Sequence, residues 1–423
     1  MAEIFIASGV RSPFSKIDGA LKQYDAIALS VPVAQAMIRR LRLGTRPDFA
    51  VWGSVVPNLG WSNIAREIWL DAELDPTVPA YSVILACASS MTAAMAAGGM
   101  LQEGVRDLAI VGGVESMSRT QIGLNQNFSD WLRHFIQARS LGAKLEQFTE
   151  LQWHDVRLHI PAIINRTTGL SMGEHTEITA KEWKVGREAQ DAWALESHRR
   201  AIAARNRGFF DDLIVPIGSA DRDTIPRSDT SMEKLAKLPP AFDKTSGQGT
   251  LTAGNSSPVT DGAASVWVAN ASGLKRLPDG TPYAKLIDYE ITSVDLRSEG
   301  LLMAPSYAIP RMFTRRGMRY EDVDLWEIHE AFAAQALANV AALEDKDWIK
   351  RKTGIERDFG PFPRDRVNPN GSSIAIGHPF AATGARDLSQ CVKELFAMKS
   401  GSRAVVSICA DGGQGAVALL QRP

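Results

Sequence analysis

Short apolar runs alternate with longer segments of helical periodicity in the first part of the chain. The runs "IFIASGV" and "FAVWGSVV" are typical of buried strands, whereas "AIALSVPVAQAMIRRL" has its apolar residues at helical spacing. Further on, "YSVILACASSMTAAMAAGGMLQEG" predicts a strand that leads into an alanine-rich helix beginning around Cys87. "VRDLAIVGGVESMS" predicts a buried strand that ends in glycines. Strands that alternate with helices predict an α/β fold with a largely parallel sheet covered on both faces.

The C-terminal part of the chain repeats this order of patterns. "DVDLWEIHEAFAAQ" resembles "DFAVWGSVVPN" as a strand that emerges into a loop, and "SIAIGHPFAATGARDLSQCVKEL" is again a loop followed by a helix of small residues. "SRAVVSICADGGQGAVALL" is again a buried strand that ends in glycines. We interpret the repeat as an internal duplication. Residues 121–250, called the insert below, have a different character and separate the two halves.

Two helices are predicted within the insert. One apolar stripe at helical spacing consists of Phe128, Trp131, Leu132, Phe135 and Ile136, with basic residues nearby. This stripe could line or roof a ligand tunnel, dock a partner subunit, rest on a membrane surface, or simply pack on its own domain. The segment "GREAQDAWALESHRRAIAARNRGFF" predicts an exposed helix that ends near Gly208.

Composition and charge exclude several classes of protein. The formal net charge of −1 and the lack of interleaved basic and aromatic residues argue against nucleic-acid binding. The three cysteines are too few and too scattered for a disulfide framework, and no CxxC spacing predicts a metal site. The opening "MAEIFIASGVRSPF" lacks the features of a secretory signal, and no apolar run approaches the ~20 residues of a membrane-spanning helix. We therefore expect a cytoplasmic protein without a metal.

Four residues that could carry chemistry lie where predicted strands end. They are Cys87 in "ACASSM", His329 in "EIHEAFA", His378 in "IAIGHPFAATGAR" and Cys409 in "VVSICADGGQG". In α/β sheets, ligands bind at the edge formed by the strand ends. If the duplication is real, the two halves bring these edges together at one site.

The two candidate cysteines suit different chemistry. Cys87 lies at a predicted helix start, which favours a thiolate, and an imidazole such as His378 would help to ionise it. Cys409 follows a buried strand and precedes glycines that let a ligand approach, which suits a proton carrier. A lone cysteine in an apolar strand is more often a packing residue, and we interpret Cys391, in "LSQCVKEL", as one.

The order of the motifs is similar to that of the thiolase family over nearly the whole chain. The motifs are "ASGVRSPF", "CASSM", "GGVESMS", "MGEHTE", "GTLTAGNSSPVTDGAA", "HEAFA", "NPNGSSIAIGHPFAATGAR" and "CADGGQG". The insert and the HEAFA form resemble the long-chain thiolases that form the β-subunit of the fatty-acid oxidation multienzyme complex. The resemblance implies an α/β thiolase fold with duplicated αβαβα layers, two mixed sheets and an inserted loop domain. The implied domains are residues 1–120 plus 251–272 (N-terminal), 121–250 (inserted loop domain) and 273–423 (C-terminal).

The resemblance also implies roles for the candidate catalytic residues. Cys87 matches the nucleophile that becomes acylated. His378 matches the histidine that deprotonates it and contributes to an oxyanion hole. Cys409 matches the second cysteine, which protonates the departing enolate. His329 replaces the asparagine that holds a water in the oxyanion hole of many short-chain members.

Further positions match substrate-binding residues of the family. These are Ser257 near the pantetheine arm of coenzyme A, Arg227 near its nucleotide end, Met172 and Phe332 in the pocket lining, and Asp411, whose backbone N–H matches a second oxyanion hole. Asp411 departs from the glycine or alanine that is common there, and we expect its carboxylate to turn away because an inward charge would repel the enolate. Ser90 departs from a frequent glycine after the nucleophile, which bears on the width of the pocket.

The resemblance implies an acyltransferase that cleaves 3-ketoacyl-CoA with coenzyme A through an acyl-cysteine, as in fatty-acid β-oxidation. The alternatives are a biosynthetic acetoacetyl-CoA thiolase, a ketoacyl synthase, or a non-catalytic acyl-CoA- or lipid-binding protein. Coenzyme A is then a substrate and no cofactor is implied. The implied partners are acyl-CoA, a second copy in a homodimer or homotetramer, an α-subunit of β-oxidation, and a membrane surface contacted through residues 125–155.

Overall fold

The computed structural model describes residues 2–423. Its strands are β1 (Phe5–Ala7), β2 (Ser15–Lys16), β3 (Phe49–Gly53), β4 (Ala80–Tyr81), β5 (Leu108–Glu115), β6 (Gly123–Leu124), β7 (Leu158–His159), β8 (Thr260–Ala269), β9 (Tyr283–Ser293), β10 (Leu325–Ile328), β11 (Arg403–Ala410) and β12 (Gln414–Gln421). Its α-helices are α1 (Ala26–Arg39), α2 (Ile64–Asp71), α3 (Ser89–Leu101), α4 (Gln126–Gln137), α5 (Leu141–Glu150), α6 (Met172–Glu182), α7 (Arg187–Asn206), α8 (Met232–Ala236), α9 (Ala271–Leu274), α10 (Ala304–Arg316), α11 (Ala333–Glu344), α12 (Lys346–Thr353), α13 (Ser373–Ile376) and α14 (Thr383–Ala397).

The sheet topology confirms the internal duplication. In the N-terminal half, β1 pairs antiparallel with β8, β8 antiparallel with β5, and β5 parallel with β3. The C-terminal half repeats this plan, because β9 pairs antiparallel with β12, β12 antiparallel with β11, and β11 parallel with β10. The two mixed sheets are joined edge to edge, since β1 and β9 pair antiparallel and complete a 10-stranded sheet.

The expectation of a largely parallel sheet is wrong. Only the pairs β3–β4, β3–β5 and β10–β11 are parallel in the 10-stranded sheet. The physical reason is visible between β11 and β12, where the left-handed residues Gly412 (φ 85°) and Gly413 (φ 72°) allow a tight turn back. A strand that returns through so short a turn must be antiparallel to the strand before it.

Three layers of helices and the two halves of the sheet alternate to form five layers. α1 and α2 lie on the outer face of the N-terminal half, and α10 and α12 lie on the outer face of the C-terminal half. Between the halves lie α3 and α14, whose side chains share one apolar cluster with strands of both. Gly384 lets these central helices approach, because a Cβ there would lie 2.5 Å from the backbone nitrogen of Met91. Cys391 is fully buried in this layer, which confirms that it is a packing residue.

The insert contains both helices predicted for it, α4 and α7. The predicted apolar stripe does form a helix, α4, in which Trp131 stacks on Phe128 and Phe135 at ring-centroid distances of 5.7 and 5.4 Å. α7 was predicted to be exposed, and this is wrong for one of its faces, which buries Ser197 and His198. Periodicity misses this face because its polar side chains are buried through hydrogen bonds to another segment.

Within residues 2–423, no helix is both long enough and apolar enough to cross a membrane.

Candidate active site

The fold brings three of the four predicted catalytic residues into direct proximity. Cys87 precedes α3, His378 precedes α14, and His329 directly follows β10. The Nε2 of His378 lies 3.1 Å from the Sγ of Cys87, and the rings of His329 and His378 are 4.2 Å apart between centroids. Because α3 and α14 are equivalent helices of the two halves, the duplication itself places the thiol opposite the imidazole.

The backbone before the nucleophile is held in an uncommon conformation. Ala86 has a φ of 42°, in the left-handed region that non-glycine residues rarely occupy. The hydroxyl of Ser89 stabilises this turn by accepting from the N–H of Leu85 (2.9 Å) and donating to the carbonyl of Ala86 (2.7 Å). Such strain persists at functional sites where the surroundings hold it in place, and here it presents Cys87 towards the second half of the molecule.

The thiol and the imidazole are a neutral pair in the free protein. Burial raises the pKa of the Cys87 thiol, and the nearby Asp411 and Glu115 raise it further. Burial also lowers the pKa of His378 to about 3, helped by the charge of Arg386. The helix start was expected to favour a thiolate at Cys87, and desolvation and the two carboxylates oppose that effect.

The neighbours of His378 orient its ring. The Nδ1 lies 2.7 Å from the Oγ1 of Thr383, and this hydroxyl donates to the carbonyl of Pro379 (3.3 Å). Since the hydroxyl proton is used on Pro379, Thr383 accepts the proton of Nδ1. The lone pair of Nε2 then points at Cys87, so His378 is set up to take its proton.

His329 lies deeper than His378. Its Nδ1 is 2.8 Å from the Oγ of Ser373. Its Nε2 is buried and has no hydrogen-bond partner among residues 2–423. Burial lowers the pKa of His329 well below its ordinary value, and the neighbouring His378 and Arg386 lower it further, because a positive charge on His329 would be repelled by the charge of Arg386 and by any proton on His378. The ring is therefore neutral.

Cys409 is the fourth predicted catalytic residue. It lies in β11 opposite Gly415 of β12 and is 1% exposed. Burial raises the pKa of the Cys409 thiol well above its ordinary value, and so does the nearby Cys87. Cys409 is therefore a second buried, protonated thiol, near enough to Cys87 for the two to interact electrostatically. The turn between β11 and β12 packs tightly against the backbone at Val294, because a Cβ at Gly413 would lie 2.5 Å from the carbonyl oxygen of Val294.

The side chain of Asp411 is held by the insert. Its Oδ1 accepts from the Nδ2 of Asn165 (2.8 Å) and from the N–H of Gly412 (2.6 Å). The carboxylate still lies close enough to Cys87 to contribute to the raised pKa of that thiol. The sequence analysis missed Asn165, which carries no motif signal and meets Asp411 only through folding.

The predicted binding residues are distributed around this centre. Ser257 donates to the carbonyl of Ala331 (2.9 Å), directly before Phe332, whose ring packs edge-on against Phe242 at 5.7 Å. Met172 begins α6 and packs with Phe332 in the apolar cluster that contains Cys409. Arg227 is exposed, and its backbone N–H donates to His198.

Ser90 does not face the pocket. It is fully buried, and its hydroxyl accepts from the N–H of Ala385 (2.8 Å), so it ties α3 to α14. The question of pocket width raised by this residue is thereby answered, because the side chain points into the central helical layer.

Two buried glutamates support the loops of the site and were not predicted to do so. Glu115 accepts from the hydroxyl of Ser54 (3.0 Å) and from backbone N–H groups that include Ala381, and burial raises its pKa to about 7. Glu330, next to His329, accepts from Trp193 (3.0 Å) and Ser197 (2.7 Å) of α7. Glu330 therefore joins the insert to the catalytic loop.

Cys87, His329 and His378 also form a group of zinc-ligand types whose ligand atoms lie within 4.8 Å of one another. The lone pair of His378 that faces this group is already used by the Cys87 thiol. The expected absence of a metal remains a prediction.

A cysteine thiol within hydrogen-bonding distance of an imidazole, at the strand ends of an α/β fold, is the arrangement found in enzymes that work by covalent nucleophilic catalysis. The family descriptions "Thiolase, N-terminal domain" and "Thiolase, C-terminal domain" match residues 4–272 and 280–422. A 3-ketoacyl-CoA thiolase of Shewanella halifaxensis is 37% identical over 425 residues, covering 99% of this chain and 96% of the relative. One from Shewanella baltica is 36% identical with the same coverage.

Solved structures agree with these relatives. The acetyl-CoA acetyltransferase of Bacillus anthracis is 31% identical with a TM-score of 0.79, covering 100% of this chain and 99% of that one. The Acat5 thiolase of Ascaris suum, solved with coenzyme A, is 28% identical with a TM-score of 0.80 and full coverage of both chains. The chain belongs to the thiolase family and is an acyltransferase, which confirms the resemblance and fold expected from its motifs.

Proposed function

We propose that Cys87 is the residue acylated when this enzyme cleaves 3-ketoacyl-CoA with coenzyme A. The observation that carries the proposal is the 3.1 Å contact between the Sγ of Cys87 and the Nε2 of His378. The reaction is thiolytic cleavage, in which a carbon–carbon bond is exchanged for a thioester bond. Because the acyl group is carried on the enzyme between two half-reactions, ping-pong kinetics are expected.

In the first half-reaction, His378 takes the proton of Cys87, and the resulting thiolate attacks the 3-keto carbon. The bond between C2 and C3 then breaks, and the electron pair forms the enolate of acetyl-CoA. Cys409 gives its proton to this enolate, so acetyl-CoA leaves and Cys409 becomes a thiolate. The shortened acyl group remains on Cys87 as a thioester.

In the second half-reaction, the Cys409 thiolate takes the proton of incoming coenzyme A. The coenzyme A thiolate attacks the acyl-cysteine, and the leaving Cys87 recovers its proton from His378. Both thiols and the imidazole return to their starting states. His329 and the backbone N–H of Asp411 serve as hydrogen-bond donors to the oxyanions, which supply the largest electrostatic stabilisation in such reactions.

The binding roles follow from position. Ser257, half-buried next to the His329–Phe332 loop, contacts the pantetheine arm, and the exposed Arg227 contacts the phosphates of the nucleotide. Met172 and Phe332 line the acyl pocket, supported by the apolar cluster that they share with Cys409. Substitution of Arg227 should raise the KM for coenzyme A without changing kcat, because the contact is the same in ground and transition states.

The decisive experiment is mass spectrometry of the protein after mixing with an acyl-CoA. We expect an acyl adduct on Cys87 that disappears when free coenzyme A is added, and none in a Cys87→Ala variant. Cys391 is the matched control thiol, because it is buried away from the site. Protein that binds 3-ketoacyl-CoA but never forms the adduct would contradict the proposal and favour a binding protein.

The proposal also includes the direction of the reaction and the length of the acyl chain. We propose a degradative role in fatty-acid β-oxidation on medium to long acyl chains, supported by relatives named 3-ketoacyl-CoA thiolase. Residues 125–155 expose Ile136, Leu141 and Leu145 next to basic side chains, a pattern suited to an acyl chain, an α-subunit or a membrane surface. Equal turnover of C4 and C16 substrates after deletion of residues 125–155 would contradict a role of this segment in accommodating long acyl chains.

The remaining assignments concern the assembly and its setting. We propose a homodimer or homotetramer, as the family resemblance implies. We also propose the three domains given above, which are supported by the return of β8 to the N-terminal half of the sheet after the insert. We place the enzyme in the cytoplasm, which the three unpaired cysteines support because thiols persist in reducing compartments.

A further inference from the structure

His329 ends a buried relay of hydrogen bonds that begins at a fixed positive charge. The guanidinium of Arg386 is 1% exposed and donates from Nη2 to the Oγ of Ser373 (2.7 Å). The same Oγ lies 2.8 Å from the Nδ1 of His329. Among residues 2–423, these are the hydrogen bonds that Ser373 Oγ makes.

The donor capacity of each group decides where the protons lie. Arginine has only donors, so Ser373 must accept from Arg386. If the Nδ1 of His329 donated to Ser373, the hydroxyl proton of Ser373 and the lone pair of Nε2 would both lack a partner. When Ser373 donates to Nδ1 instead, both of its hydrogen bonds are satisfied and only one group, the N–H at Nε2, is left unpaired. The single ring proton of the neutral His329 then sits on Nε2.

The N–H at Nε2 has no partner in the resting protein. His329 Nε2 is buried and lacks a hydrogen bond among the described residues, and a ring nitrogen of His329 lies within 4.8 Å of the Cys87 sulfur and of a ring nitrogen of His378. A buried donor that is left unpaired is costly in the free protein and gains most from an anion that forms beside it. The two histidines thus carry opposite tautomers, an acceptor at His378 and a donor at His329.

We propose that Ser373 and Arg386 are positioning residues that hold His329 as an Nε2–H donor aimed at the developing oxyanion. The inference rests on the proposed function for what the donor stabilises, but the tautomer itself is a property of the free protein. Ser373 contacts both Arg386 and His329, whereas its neighbour Ser372 contacts the same arginine (3.4 Å) without touching the histidine. Ser372 therefore supplies a matched control.

The kinetic test compares Ser373→Ala, Ser373→Thr and Ser372→Ala. We expect Ser373→Ala to lower kcat by at least about tenfold with an unchanged KM for coenzyme A, because the lost donor acts on the transition state. Ser373→Thr keeps the hydroxyl and should retain most of the activity, and Ser372→Ala should stay near the parent. Equal losses in Ser372→Ala and Ser373→Ala would overturn the proposal, because both would then report only damaged packing.

A double-mutant cycle isolates the relay from general effects. In the His329→Asn background, an amide NH₂ donates whatever Ser373 does, so Ser373→Ala should cost less than about twofold there. A cost equal to that in the parent would overturn the proposal.

The spectroscopic test does not depend on turnover. Nitrogen-15 NMR of histidine-labelled protein, with the His329 signals assigned by their loss in His329→Asn, should show Nε2 protonated and Nδ1 not. In Ser373→Ala the population with a protonated Nδ1 should rise. A protonated Nδ1 in the parent would overturn the relay, whereas failure to form acyl-Cys87 would overturn only the proposed function.

Discussion

The Oγ1 of Thr383 lies 2.7 Å from the Nδ1 of His378, on the side of the ring opposite Cys87. Because the hydroxyl proton of Thr383 is directed at the carbonyl of Pro379, Thr383 accepts from Nδ1, and the Nε2 that faces Cys87 is left unprotonated. The first residue of α14 therefore controls the acid–base function of a residue in the preceding loop. Cys87 and His378 lie at equivalent positions of the two halves. His378 can accept the proton of the Cys87 thiol only when its Nε2 is unprotonated.

Replacing Thr383 by valine should lower activity without unfolding the protein. Valine keeps the shape but removes the acceptor of the Nδ1 proton, so His378 can turn or change tautomer. We expect a loss of about tenfold to a hundredfold in kcat, as for other residues that orient a reacting group. Thr383→Ser keeps the hydroxyl and is the control. Thiolysis rates of the two variants give the comparison, and equal rates would show that the hydroxyl does not orient the ring.

Much of this centre could be predicted from the sequence. Cys87, His329, His378 and Cys409 were named because each follows a predicted strand in a repeated pattern, and strand ends meet at one edge of a sheet. The duplication and the thiolase resemblance could also be predicted, because the order of motifs is a property of the sequence itself, and the resemblance was confirmed by the family matches.

The remainder depends on folding. Arg11 and Asp223, separated by 212 positions, meet in a buried pair that no local pattern reveals. The burial that raises the pKa of Cys87 was not predicted, because burial cannot be read from neighbours in the chain. The polar face of α7 was likewise assigned to solvent, because a hydrogen bond such as that from Ser197 to Glu330 joins distant segments.

Alkylation of Cys87 should become faster with pH and show no plateau in the neutral range. Only the thiolate reacts with iodoacetamide, and burial raises the pKa of this thiol, so the thiolate fraction is small at neutral pH and grows as pH rises. We expect the rate to increase up to about pH 9, with the rate of a Cys87→Ala variant subtracted to remove Cys391 and Cys409. A rate that is already constant from pH 7 upwards would mean a thiolate–imidazolium pair at rest.

Breaking the ion pair between Arg11 and Asp223 should destabilise the protein strongly. Both side chains are about 4% exposed, and two nitrogens of Arg11 donate to Asp223 at 2.6 and 2.7 Å. Arg11→Met leaves a buried carboxylate unpaired, which costs about 3–5 kcal/mol of unfolding free energy. The exposed pair of Lys346 and Asp358 is the control, and Lys346→Met should cost about 0–1 kcal/mol. Urea denaturation measures both, and similar costs would contradict the assignment.

Replacing Asp411 by alanine should make Cys87 more reactive while preserving catalysis. The carboxylate raises the pKa of Cys87, so its removal should lower that pKa and speed alkylation at neutral pH. The backbone N–H at position 411 survives the substitution, and we therefore expect kcat to stay within about threefold of the parent, since the proposed oxyanion contact does not involve the side chain. Asn165→Ala is the matched partner variant, because it frees the carboxylate that Asn165 now holds at 2.8 Å without removing its charge. If the charge acts on the thiol, Asp411→Ala speeds alkylation and Asn165→Ala does not. A large loss of kcat in Asp411→Ala, with unchanged alkylation, would instead assign the carboxylate a direct role in binding the substrate.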